Sequence, residues 1–123
     1  MQLFIIAFCL ILMDAVWFTF SWDGVYKPVF TAIQQGVSPS IRLAGGAVAW
    51  MLLAAGIKLF VLSPGISIVQ AGVRGAIFGA IVYGVYNGTM YASFDKYPLG
   101  TAAADMLWGT FAVGAASMIG AAI

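Results

Sequence analysis

The sequence predicts an all-α fold, a four-helix transmembrane bundle with a short amphipathic interfacial helix between helices one and two. Three observations predict it. Hydrophobic residues make up 63% of the chain and charged residues only 7%, whereas soluble domains run near a quarter charged, so too few charges exist to cover a water-facing surface. Four apolar stretches each approach the ~20 residues that cross a ~30 Å hydrocarbon core. Clusters of Pro, Gly, Ser and Asp punctuate the chain between them. The four spans and their connections use residues 1–123, which read as a single integral, multi-pass membrane domain.

Helix one is expected over residues 2–21, with Asp14 its only charge and Trp17 and Trp22 towards its far end, where amphipathic aromatics favour the interface. Leu3 to Met13 is apolar enough for a signal-peptide core. Yet no Lys or Arg precedes it, Asp14 follows it, no small-x-small cleavage site appears, and Phe8 stands before Cys9, so it reads as a retained helix. Asp23-Gly24 ends the span. Over residues 24–35, Val25, Tyr26, Val29, Phe30 and Ile33 fall on one face, and Lys27, Thr31, Gln34 and Gln35 fall away from it. That pattern predicts a helix lying on the membrane surface, capped by Asp23, with Pro28 in its first turn and Gly36 as its stop.

Ser38-Pro39-Ser40 opens helix two, over 41–62, and Ser63-Pro64-Gly65 closes it. Helix three covers 68–94. Asp95-Lys96-Tyr97-Pro98 makes the turn into helix four, over 99–122. Lys27, Arg42 and Lys96 share one side, and Lys58 and Arg74 the other. That three-to-two excess leans towards a cytoplasmic side for the 1–2 and 3–4 connections, and a difference of one residue leaves the orientation open. Lys58 has a stem long enough to reach the interface from within helix two.

Helix three carries Gly72, Ala76, Ala80, Gly84 and Gly88 at intervals of four, with Gly75 and Gly79 as a second pair alongside. Ala112, Ala116 and Gly120 repeat the spacing on helix four. In lipid, helices have no hydrophobic drive to associate, so close backbone approach matters more. The stripe therefore places helix three in the middle of the bundle, and its alternative use is a homodimer face.

The most informative residues are those that lipid disfavours. Asp14, Asn87 and Asp105 all fall roughly 9–10 Å inside the same face, at 1.5 Å per residue. An Asp at mid-span costs on the order of 3 kcal/mol, so such groups turn inwards and find partners. Trp17, Tyr83, Tyr91 and Trp108 stand near them, giving a candidate polar layer of Asp14, Trp17, Tyr83, Asn87, Tyr91, Asp105 and Trp108. The two acidic sites resemble each other, Asp14-Ala-Val-Trp17-Phe-Thr19-Phe20 beside Asp105-Met-Leu-Trp108-Gly-Thr110-Phe111. Each Asp has a Trp one turn away, and an indole N–H can donate to a carboxylate. Such a layer either locks the bundle or forms the polar end of a cavity for a ligand or a proton. Arg42, entering helix two at the same face, is an available partner for an Asp.

These motifs carry a resemblance. Met13-Asp14-Ala15-Val16-Trp17, Tyr26, Tyr83-Gly84-Val85-Tyr86-Asn87-Gly88-Thr89, Tyr97-Pro98-Leu99 and Asp105-Met106-Leu107-Trp108-Gly109-Thr110 are similar to the pattern of small bacterial and viral membrane proteins grouped as domain of unknown function 2177. The resemblance covers nearly the full length. It implies that the polar layer belongs to a family pattern, and it supplies no activity and no catalytic residue to carry over. The chain departs from that pattern in helix three, with Asn87 where the family often has Asp and Met90 where it often has Asn.

No histidine is present and Cys9 is the only cysteine, so neither a disulfide nor a cysteine–histidine metal site is expected, nor any cofactor. A net charge of +1 offers no basic tract for nucleic acid. The expected function is binding of lipid or another hydrophobic ligand, or service as an accessory subunit, with membrane lipid, other membrane proteins or a second copy as partners. The alternative is a dimeric proton-coupled transporter using Asp14 and Asp105; its span count is like that of small multidrug exporters, but its motifs differ. An intramembrane enzyme comes third, because no histidine, metal cluster or clear nucleophile accompanies the acids.

Overall fold

A computed structural model describes residues 1–123. It is all-helical, with four helices long and apolar enough to cross a membrane: α1 Gln2–Ile33, α2 Leu43–Val61, α3 Ile68–Ser93 and α4 Leu99–Ala122. Around the bundle they run in the order α2, α1, α4, α3. α1 and α4 are antiparallel along their whole length. Gln2 Nε2 donates to the Gly120 carbonyl at 2.9 Å near one end, and Thr101 Oγ1 to the Val25 carbonyl at 3.2 Å near the other. The main core joins Ile6, Ala7 and Leu10 of α1, Ala54, Ile57 and Val61 of α2, and Val113 and Ala116 of α4.

The separate interfacial helix expected over 24–35 is not formed. Asp23 and Gly24 do not stop helix one; it continues through a π-helical turn, Trp22–Tyr26, into a last α-helical stretch, Lys27–Ile33. The turn is marked by the Lys27 N–H, which bonds to the Trp22 carbonyl five residues back. The apolar face of the final stretch packs on the protein, where Val29 meets Tyr97 and Ala102 at the start of α4, with Ile33 and Met90 beside them. α1 ends at a left-handed turn in which Gly36 N–H bonds to the Thr31 carbonyl at 2.8 Å and Gln35 N–H to the Ala32 carbonyl at 3.2 Å. These bonds satisfy the last carbonyls. Gln35, with φ of 56°, takes the position that Gly usually holds, and Gly36 follows at 95°.

The remaining boundaries follow local chemistry. Arg42 is the extended residue before α2, and Leu62 the extended residue after it. α3 opens with a reciprocal cap, Gln70 N–H to Ser67 Oγ at 3.1 Å and Ser67 N–H to Gln70 Oε1 at 3.3 Å. Pro98 stands just before α4, in extended conformation.

α3 and α4 form the closest pair. A Cβ at Gly79 would strike the Gly109 carbonyl and Val113, one at Gly75 would strike Ser117 and the Val113 carbonyl, and one at Gly109 would strike the Tyr83 ring. The deep contact thus runs along Ala71, Gly75 and Gly79, which are buried. The expected stripe flanks it: Gly72 and Ala76 pack against Met118 and Gly114, Gly84 faces Met106, Ala80 is half-buried, and nothing approaches Gly88. α4, not α3, occupies the middle. It touches both α3 and α1, and Ala112, Ala116 and Gly120 are all buried, with Gly120 against Ile6 and Leu62.

This packing predicts opposite outcomes for two glycines on one helix. Gly79→Leu would be overpacked against backbone and cost about 2 kcal/mol or more, whereas Gly88→Leu would change thermal stability in detergent little. Equal melting shifts for the two variants would contradict the contact.

Candidate functional site

The sequence-expected acids are both buried and both fully partnered. Asp14 is 8% exposed and Asp105 7%. Trp50 Nε1 donates to Asp14 Oδ2 and Trp108 Nε1 to Asp14 Oδ1, each at 2.7 Å. Tyr26 Oη donates to Asp105 Oδ1 at 2.6 Å and Asn87 Nδ2 to Asp105 Oδ2 at 2.5 Å. Behind these stand Trp17 Nε1, donating to Tyr26 Oη at 2.8 Å, and Tyr97 Oη, donating to Asn87 Oδ1 at 2.6 Å. Asn87 Nδ2 also donates to the Tyr83 carbonyl at 2.9 Å.

The direction of every bond is set by its outermost member. Indole N–H groups only donate. Trp17 therefore fixes the Tyr26 hydroxyl as an acceptor on that side and a donor towards Asp105. Burial, with the charge of Asp105 and then Tyr86 behind it, pushes the Tyr97 phenol above its usual pKa, so Tyr97 stays protonated as a donor to Asn87. All four carboxylate oxygens end as acceptors. Every buried side-chain polar atom has a partner, as the low dielectric requires.

Each tryptophan serves the acid of the other helix. Trp108 reaches Asp14 directly, and Trp17 reaches Asp105 through Tyr26. The two indoles stack, with centroids 4.9 Å apart and planes 4° from parallel. Because α1 and α4 are antiparallel, the repeated Asp-x-x-Trp places the two motifs head to tail.

Tyr26 takes part because of the π-helical turn. Twelve residues separate it from Asp14, and at about 100° per residue an unbroken α-helix would turn it about 120° off the Asp14 face. A π-turn absorbs one extra residue and brings Tyr26 back to within about 20° of that face.

A cavity of about 570 Å³ lies beside Asp105, between the distal part of α1, the first half of α2, and α3. Phe18, Trp22, Tyr26 and Phe30 line it from α1, Ala49, Leu52 and Leu53 from α2, and Phe78, Val82, Tyr83 and Tyr86 from α3. Asp105 is its one charged lining residue. The cavity persists because α2 and α3 meet chiefly where Gly56 faces Phe78 and at the turn Ile57–Val61. Leu52, on its α2 wall, is 67% exposed, so this side opens towards lipid.

All the basic side chains, Lys27, Arg42, Lys58, Arg74 and Lys96, are exposed. The partners of Asp14 and Asp105 are neutral, and Arg42 is not among them. Tyr91 is 53% exposed and stands outside the network, and Tyr83 contributes its carbonyl and a ring that walls the cavity. Sequence reasoning missed Tyr26, Trp50 and Tyr97 as members. Trp50 and Tyr97 carried a readable signal, since each is an amphipathic aromatic at or near the depth of the acids, and buried Trp and Tyr need partners for their N–H and O–H.

The donor pattern predicts a cost for both amides. In Asp14→Asn the new NH2 group must face one of two donor-only indoles. In Asp105→Asn it must face Tyr26, whose oxygen already accepts from Trp17, or Asn87, which can accept only by flipping away from the Tyr83 carbonyl. Each variant is therefore expected to lose about 1–3 kcal/mol, read as a melting shift of the purified protein. A variant that melts with the wild type would refute the assignment of donors at that acid.

No curated protein and no solved structure matches the chain. Residues 1–122 match the family model described as a predicted membrane protein, DUF2177. The chain, with its membrane-spanning helices, belongs to the DUF2177 family of predicted membrane proteins.

Proposed function

We propose that this protein binds a small hydrophobic ligand taken from the bilayer and holds it in the cavity between α1, α2 and α3. The carrying observation is the cavity itself, about 570 Å³, walled by aromatic and aliphatic side chains with Asp105 its single carboxylate. Ligand sites are commonly of this size and character, mostly apolar with a few placed polar groups. Entry is lateral, through the gap where α2 leaves α3 below the Gly56–Phe78 contact. The cavity lies among the membrane-spanning helices, so the bound ligand is presented within the membrane, which suits an accessory subunit of a larger membrane assembly.

Binding is preferred to proton-coupled transport through Asp14 and Asp105. The hydrogen-bonded chains leading from the two acids meet at the stacked Trp17 and Trp108 rings. Their indole N–H groups donate and do not accept, so these chains relay no proton from one acid to the other.

Photolabelling in nanodiscs with a neutral aryl diazirine tests the binding role. Labelling of Trp22, Phe78 and Tyr86 should saturate with probe concentration. Ala49→Trp, which fills the cavity from its α2 wall, should reduce that labelling at least tenfold. Labelling that rises linearly and ignores Ala49→Trp would mean the cavity is only a stretch of lipid-facing surface.

A further inference from the structure

We infer that the ligand of this cavity is a small lipophilic organic cation, with its charge against Asp105, an inference that rests on the binding role proposed above. Charge bookkeeping across the whole chain leads there. Asp105 is buried, its two hydrogen-bond partners are the neutral Tyr26 and Asn87, and every Lys and Arg side chain is exposed. A carboxylate taken into a low-dielectric site normally finds a cation or a dense set of donors. Asp14 and Asp105 each have two donors on the same layer, yet only Asp105 lines the cavity. A cation bound there would supply the missing opposite charge at short range, where the surrounding apolar walls strengthen the attraction.

The walls suit the same ligand class. Phe18, Trp22, Phe30, Phe78 and Tyr86 present aromatic faces or edges around the space next to Asp105. A cation over such faces is attracted by their quadrupoles, an effect that grows as water is excluded. A phospholipid is disfavoured, because no basic residue lines the cavity to receive its phosphate. An anionic amphiphile such as a fatty acid would set two carboxylates face to face. The size of the space, about 570 Å³, is that of a compact drug-sized molecule.

Tetraphenylphosphonium and tetraphenylborate test this, because they share shape and aromatic character and differ in the sign of charge. Each is used to protect wild-type protein and Asp105→Asn, in nanodiscs of neutral lipid, from the neutral aryl diazirine. Partition into the bilayer is common to both protein forms and cancels in the comparison. The phosphonium should protect wild type, and its apparent affinity should fall at least tenfold in Asp105→Asn while that of the borate stays level or rises. If Asp105→Asn does not accumulate as folded protein, wild type alone decides, because the borate enters bilayers more readily, so stronger protection by the phosphonium runs against partition. Equal protection by both ions, or a phosphonium affinity unchanged in Asp105→Asn, overturns the cation assignment while saturable diazirine labelling leaves the binding role standing. Absence of saturable labelling overturns both.

Discussion

Two carboxylates buried in a membrane, with no cation beside either, set the terms for the rest of this structure. Water cannot serve them, and lipid offers no donors, so the chain must bring donors from other helices. Asp14 draws Trp50 from α2 and Trp108 from α4; Asp105 draws Tyr26 from α1 and Asn87 from α3. Each acid thereby ties three helices, and together they tie all four at one depth. Polar contacts of this sort matter because apolar side chains gain little by leaving lipid for one another. The π-turn of α1 belongs to the same requirement, since it returns Tyr26 to the face that meets Asp105. So does the glycine contact of α3 with α4, because close axes let two short side chains, Asn87 and Asp105, meet without an intermediary.

Much of this was legible in the residues. The spans could be read from apolar length, and the connections from Ser38-Pro39-Ser40, Ser63-Pro64-Gly65 and Asp95–Pro98, because these clusters carry strong local preferences. Asp14, Asn87 and Asp105 stood out because lipid disfavours them. The course of residues 24–35 was not legible, for a physical reason. Their amphipathic pattern is the same whether the apolar face meets lipid or protein, and Val29 meets Tyr97 and Ala102. A π-turn is equally silent, since it shifts phase within one turn and leaves no residue type behind. The glycine stripe misdirected by one position. Gly72, Ala76 and Ala80 and the pair Gly75 and Gly79 lie on adjoining faces of α3, and only the partner helix decides which becomes the deep contact.

The cavity follows from unequal packing among the helices. α3 packs closely on α4, and α2 does not follow both α1 and α3 along their full lengths. It touches α3 where Gly56 admits the Phe78 ring, then stays with α1 through Trp50 and Asp14. Space opens between α2 and α3 towards the other face, and the distal part of α1 walls it with Trp22, Tyr26 and Phe30. The continuation of α1 beyond Asp23 is therefore part of the site, and a surface helix in its place would leave the cavity without that wall.

The head-to-tail Asp-x-x-Trp motifs make two sites that are alike in sequence and unlike in chemistry. Asp14 is held by two indoles, groups that donate in one fixed direction and do not accept, and it does not line the cavity. Asp105 is held by a phenol and an amide, and it does line the cavity. A ligand arriving at Asp105 can be met by rotation of the Tyr26 hydroxyl at the expense of one hydrogen bond, while Trp17 still donates to the Tyr26 oxygen. The same arrival at Asp14 would require displacing a tryptophan. On the binding reading the division of labour follows from these partners: the two indoles keep α1, α2 and α4 together, and the rotatable Tyr26 hydroxyl leaves the carboxylate that lines the cavity available to a cation.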